Sequence, residues 1–130
     1  MLRGASVDTV GGKGLSIGAF WESGCGPETA RDTLYYFGGS STGGAFQFSG
    51  HAEWTWPARI HERLCAQTGP ESGFRSLNYG DSGRDSFDVA TVAASLFARN
   101  PPSVVVFYGG INDILTETSS LTRKQRAQLA

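Results

Sequence analysis

Hydrophobic residues are distributed along this chain in two ways, as short unbroken runs and as longer, spaced patterns. Leu34-Tyr35-Tyr36-Phe37 is one unbroken run, and Val104-Val105-Val106-Phe107-Tyr108 is a second, rich in β-branched residues. Apolar side chains at consecutive positions leave no polar face, so each run predicts a strand covered on both sides, as in a parallel sheet. A shorter strand is predicted at Phe74-Arg75-Ser76-Leu77-Asn78. Helix-length segments separate the three. Pro57 suits a first helical turn, and Gly69-Pro70 ends that segment; between them Ile60 and Leu64, with Trp56, share one face, while Arg59, Glu62 and Arg63 fall on others. A second helix is predicted from Ser86 to Arg99, capped by Asp85 or Ser86 and stopped by Asn100-Pro101-Pro102. Its expected buried stripe is Phe87, Ala90, Ala94 and Phe97. A final helical segment is expected from about Thr122 to Ala130.

Strand, helix, strand, helix, strand, helix is the order of a parallel α/β sheet whose right-handed crossovers put helices on both faces. Three main strands are expected, within residues 33–130. Residues 1–32 read as a Gly-rich N-terminal extension, with a short strand around Leu15 to Phe20 and Ile17, Phe20 and Trp21 covering one edge of the sheet. Composition adds exclusions. Hydrophobic content of 39% and 18 glycines in 130 residues fit a loop-rich globular domain. A net charge of −1 gives no electrostatic basis for binding nucleic acid. No apolar stretch reaches the ~18 residues of a membrane span, and no secretory signal is visible, so the compartment stays open. Cys25 and Cys65 leave two alternatives, one disulfide or two free thiols. His51 and His61 are the only histidines, and no metal-ligand spacing is present, so no metal is expected.

Each predicted strand stops in small and polar residues. The first runs into Gly38-Gly39-Ser40-Ser41-Thr42, the second into Tyr79-Gly80-Asp81-Ser82-Gly83, and the third into Gly109-Gly110-Ile111-Asn112-Asp113. In a parallel sheet these ends lie on one rim, the rim where ligands bind. A Ser there is a candidate nucleophile. Val10-Gly11-Gly12-Lys13-Gly14 lacks the spacing and the Lys-Ser/Thr ending of a phosphate-binding loop.

Together the three turns resemble the SGNH, or GDSL-type, family of serine esterases and lipases, over about residues 33 to 115. Gly38-Gly39-Ser40-Ser41-Thr42 is similar to that family's Gly-Asp-Ser-Leu-Thr block, with Gly39 in place of its Asp. The nucleophile position falls on Ser40. Asn78-Tyr79-Gly80-Asp81-Ser82-Gly83 resembles the block whose last Gly gives a backbone N–H to the oxyanion hole, which falls on Gly83. Gly110-Ile111-Asn112-Asp113 matches the Gly-x-Asn-Asp block, so the side-chain donor falls on Asn112. The resemblance implies a three-layer, flavodoxin-like α/β fold with a parallel sheet, truncated here to three main strands. It implies hydrolysis of an acyl ester, acetyl or longer, on a small molecule, lipid or carbohydrate, through an acyl-serine, with no metal or organic cofactor.

One block of that family is not found. Its general base is a His with an Asp three residues earlier, and no Asp-x-x-His occurs in this sequence. A serine without a base stays protonated and attacks poorly. His51 reads first as a solvated loop histidine, with a reach to the rim as the sharper alternative; His61 is expected at the surface or partly buried in its helix. Trp54-Thr55-Trp56 is expected to be core packing before acyl or sugar pocket, and Asp113 to orient Asn112 or cap the following turn. Three rival readings remain: a non-catalytic binding module that keeps the rim, a piece of a longer enzyme whose other part carries the base, and a nucleotide-binding domain. If the last strand has no neighbour, its apolar edge is expected to promote self-association.

Overall fold

The computed structural model describes residues 9–12, 14–29, 32–44, 51–69 and 72–114. A two-stranded antiparallel hairpin, β1 (Thr9–Val10) with β2 (Leu15–Ser16), opens the chain. The main sheet comprises β3 (Trp21–Cys25), β4 (Asp32–Gly38), β5 (Phe74–Asn78) and β6 (Val104–Tyr108), in the spatial order β3-β5-β4-β6. β4 is parallel to both neighbours, with Tyr35 opposite Leu77 on one side and Val105 on the other. β3 is antiparallel to β5 and pairs Trp21 with Asn78 through to Cys25 with Phe74.

The sheet therefore has four strands, mostly parallel, where three were expected. The fourth comes from the Gly-rich stretch before residue 33 and escapes a periodicity search. Trp21-Glu22-Ser23-Gly24-Cys25 is half-exposed, without the apolar alternation that marks a buried strand. A disulfide between Cys25 and Cys65, with Cα atoms 5.7 Å apart, ties this strand to the helix above it and settles the choice left open for the two cysteines.

Between β4 and β5 runs helix α2 (Trp56–Gln67), and between β5 and β6 runs α3 (Ser86–Arg99). β5 lies on one side of β4 and β6 on the other, so right-handed crossovers must send these helices to opposite faces. Their contacts agree. On the α3 face, Tyr35, Phe37, Leu77 and Tyr79 pack with Val89, Val92, Leu96 and Ile17. The rings of Tyr35, Phe37 and Tyr79 stack at 5.7–5.9 Å, with Phe97 edge-on to Tyr35 at 5.1 Å. Burial pushes the Tyr35 hydroxyl pKa up, and that hydroxyl donates to the Asn100 carbonyl at 2.7 Å, satisfying the end of α3. The α2 face is more polar, with buried Tyr36, Ser76 and Asn78 beneath α2.

Both helices bury a face that agrees with the sequence expectation only in part: Phe97 packs on Tyr35 and Trp56 on Tyr36 as expected, and other positions differ. α3 starts at a capping box, in which the Asp85 carboxylate accepts from Asp88 N–H at 2.8 Å and the Asp88 carboxylate from Asp85 N–H at 3.3 Å. From that start Val89, Val92 and Leu96 face the sheet while Phe87 is 83% exposed and Ala90 and Ala94 point outward. Burying the Val/Leu stripe removes more apolar area than burying an Ala-rich one. In α2 the buried residues are Pro57, Ala58 and His61, and Ile60 is exposed. His61 turns inward because its Nδ1 meets Ser76 Oγ at 2.7 Å and its ring lies against Trp21 and Phe74. Residues 122–130, where a last helix is expected, lie outside the described residues.

Candidate functional site

β4 ends at Gly38, and the chain turns through Gly39 into the short helix α1 (Ser40–Gly43), with Ser40 half-buried at its start. The chain leaves β4 toward α2 on one face but reaches β6 over the other face by way of α3. Chain paths thus diverge between the carboxyl ends of β4 and β6, which opens a crevice at that point of the rim. A cleft of about 190 Å3 occupies it, lined by Gly39, Ser40, Ser41, Tyr108, Gly109, Ile111 and Asn112. Ser40 and Asn112, 72 positions apart, share one cleft.

Gly39 permits this approach. A Cβ there would lie 2.7 Å from Asn112 Nδ2, well inside contact distance, so any larger residue must push the amide away. Asn112 Nδ2 in turn donates to the Arg84 carbonyl at 2.9 Å, which links the third turn to the second beside Gly83. An amide nitrogen carries two hydrogens, so this bond uses one and leaves the other for a ligand. Gly83 has φ +75°, a left-handed conformation that favours glycine. It does not line the cleft itself; Arg84 connects it to Asn112.

The second turn is held against the first by an extension of the β4–β5 ladder. Tyr79 N–H donates to the Tyr36 carbonyl at 2.8 Å and Asp81 N–H to the Gly38 carbonyl at 3.0 Å. Buried Asn78 ties both: its Nδ2 donates to the Thr42 carbonyl at 2.9 Å, and its Oδ1 accepts from Gly80 N–H at 2.8 Å. Asp113 completes the join between second and third turns. Its carboxylate accepts from Ser86 N–H at 3.0 and 3.1 Å and from the Ser86 hydroxyl, bonds that hold its pKa below the usual carboxylate value. Asp113 thereby caps the first turn of α3 while fixing the residue next to Asn112.

Neither histidine lines the cleft. His51 is exposed, with Nδ1 at 3.0 Å from Glu53 Oε1 and its ring stacked on Trp54 at 3.9 Å. His61 is 5% exposed beneath α2, where desolvation lowers its pKa and a hydrogen bond to the Gly24 backbone opposes that shift. Trp56 packs edge-on to Tyr36 and Tyr108, whereas Trp54 is 48% exposed. No group of three His, Cys, Asp or Glu side chains placed to hold a metal ion occurs among the described residues.

Sequence reasoning singled out Ser40, Gly83 and Asn112 but missed the residues that hold them in relation to one another: Asn78, Arg84 and Ser86. Only the polar content of the turns hinted at these. What fold and site define together is an α/β protein with a four-stranded, mostly parallel sheet and a cleft at the carboxyl rim that holds Ser40 and Asn112. Among the described residues no helix is long and apolar enough to cross a membrane. No protein-family model, curated protein or solved structure matches this chain.

Proposed function

We propose that the chain is an SGNH-type serine hydrolase acting on an acyl ester. Ser40 Oγ attacks the ester carbonyl carbon, its proton passes to a base, and the carbonyl oxygen becomes an oxyanion. The N–H groups of Ser40 and Gly83 and the Asn112 amide donate to that oxyanion. Collapse of the intermediate expels the alcohol, which takes up a proton, and leaves an acyl-serine that water hydrolyses. The single observation that carries this reading is the meeting of Ser40 and Asn112 in one cleft, with Asn112 bonded to the residue after Gly83. Acetyl or longer acyl groups on lipid or carbohydrate are the substrate class.

The base is the part this sequence does not supply in the expected form, since no Asp-x-x-His occurs and His51 is not in the cleft lining. That same observation favours a second reading, a binding module that has kept the rim. A fluorophosphonate probe separates the two. Ser40 Oγ attacks phosphorus, fluoride leaves, and added imidazole in solution takes the proton in place of the missing base. The esterase reading predicts an adduct on Ser40, absent in Ser40→Ala, formed faster as imidazole rises. Asn112→Ala should slow labelling about 100-fold. No adduct at any imidazole concentration would favour the binding module.

A further inference from the structure

Arg84 is the only buried Lys or Arg among the described residues, at 7% exposed. A guanidinium removed from water is stable only if its hydrogens are used, and here they are used on backbone. Nη1 donates to the Tyr79 carbonyl at 3.0 Å and Nη2 to the Ser16 carbonyl at 2.6 Å, with Asp81 Oδ2 3.5 Å from Nη2. One planar fork therefore binds the end of β5, the N-terminal hairpin and the turn that contains Gly83. Burial lowers the Arg84 pKa while Asp81 and Asp88 counter that shift, so the charge has acidic neighbours on both its own turn and α3. The carbonyl of the same residue accepts from Asn112 Nδ2 at 2.9 Å.

From this double attachment we infer that Arg84 is a positioning residue of the oxyanion hole, a role that rests on the hydrolase reading above. Its side chain faces the hairpin and not the cleft, so it does not touch substrate. It acts through the shape of residues 79–84, which presents Gly83 and gives Asn112 the acceptor that orients its amide. The planar fork matters as much as the charge. A lysine ammonium is a point donor on a flexible stem and does not reproduce two fixed bonds to carbonyls of different segments.

The test uses the full 130-residue chain, with Arg84→Met to keep the stem and Arg84→Lys to keep the charge. Two quantities are read: imidazole-assisted fluorophosphonate labelling of Ser40, and exchange of the Asn112 side-chain amide protons by NMR. In the parent chain one of those protons should exchange slowly. Arg84→Met should speed that exchange and lower the saturating labelling rate about 100-fold, with half-saturation by the probe little changed. Arg84→Lys, which keeps the charge beside Asp81 and Asp88, should fall between Met and parent in both readouts. A slow Asn112 proton and a parent-like labelling rate in either folded variant would overturn the inference. If the parent chain is never labelled, the hydrolase reading fails by itself. The Asn112 exchange then still decides whether Arg84 orients that amide.

Discussion

The two edges of the sheet are built on opposite principles. β3, at one edge, carries Glu22 and Gly24, runs antiparallel to its neighbour and is clamped by the Cys25–Cys65 disulfide. Trp21 of that strand meets the His61 ring at 5.5 Å, and Arg75 on β5 approaches Glu22 at 3.4 Å. β6, at the other edge, has no charge, no bulge and no clamp. Val104, Val105, Phe107 and Tyr108 are 45–63% exposed, and among the described residues no strand pairs with their outer side. A polar antiparallel edge resists pairing with other chains, whereas a flat apolar one invites it. The difference teaches that, among the described residues, the sheet is protected on the β3 side and open on the β6 side. The candidate cleft lies beside the open edge, at the carboxyl end of β6.

The largest effect expected from breaking this contrast comes from the protected edge. Replacing both Cys25 and Cys65 by Ser should cost about 4 kcal/mol, since the bridge closes a loop of some 40 residues in the unfolded chain. Denaturant unfolding under oxidising conditions measures it. Ser76→Ala comes next: it removes the partner of buried His61 Nδ1 and should cost about 1–3 kcal/mol in the same assay.

His61 also gives this edge a pH dependence. Its folded pKa lies below the ordinary 6.5, so the unfolded chain binds the proton more readily. The stability associated with neutral His61 is complete above about pH 6.5 and declines as pH falls below it. His61→Phe should flatten that part of the profile. The smallest effect on stability belongs to the open edge, where Val105→Lys should change unfolding by less than about 0.5 kcal/mol. Its consequence is association: we expect the parent chain to form larger species as concentration rises in size-exclusion chromatography, and the Lys variant to elute as a monomer.

β4 and β6 also show where sequence reading stops. Both read as strands because each is apolar at consecutive positions, yet Tyr35, Tyr36 and Phe37 are at most 2% exposed while most of β6 is near half exposed. An apolar run reports a local preference for strand; whether a neighbour covers it is decided elsewhere in the chain. β3 was illegible for the converse reason, because its place depends on pairing with β5 and on a covalent bond, and periodicity registers neither. The helix faces were misjudged where a small residue and a large one competed for the same turn, as in Ala90 and Val89, or where a buried polar partner drew a side chain inward, as Ser76 draws His61. At the cleft, Ser40 and Asn112 stood out because their neighbours are glycines at strand ends. Arg84 did not, since its side-chain acceptors are mostly backbone carbonyls, which every residue possesses.

The proposal that Ser40, Gly83 and Asn112 act on one oxygen atom is tested most directly by a high-resolution crystal structure of the chain after reaction with a fluorophosphonate. The account predicts phosphorus on Ser40 Oγ and a phosphonyl oxygen about 2.7–3.1 Å from the Gly83 nitrogen and Asn112 Nδ2. An adduct on a different serine, or a phosphonyl oxygen turned to solvent with Asn112 still bonded only to Arg84, would contradict it.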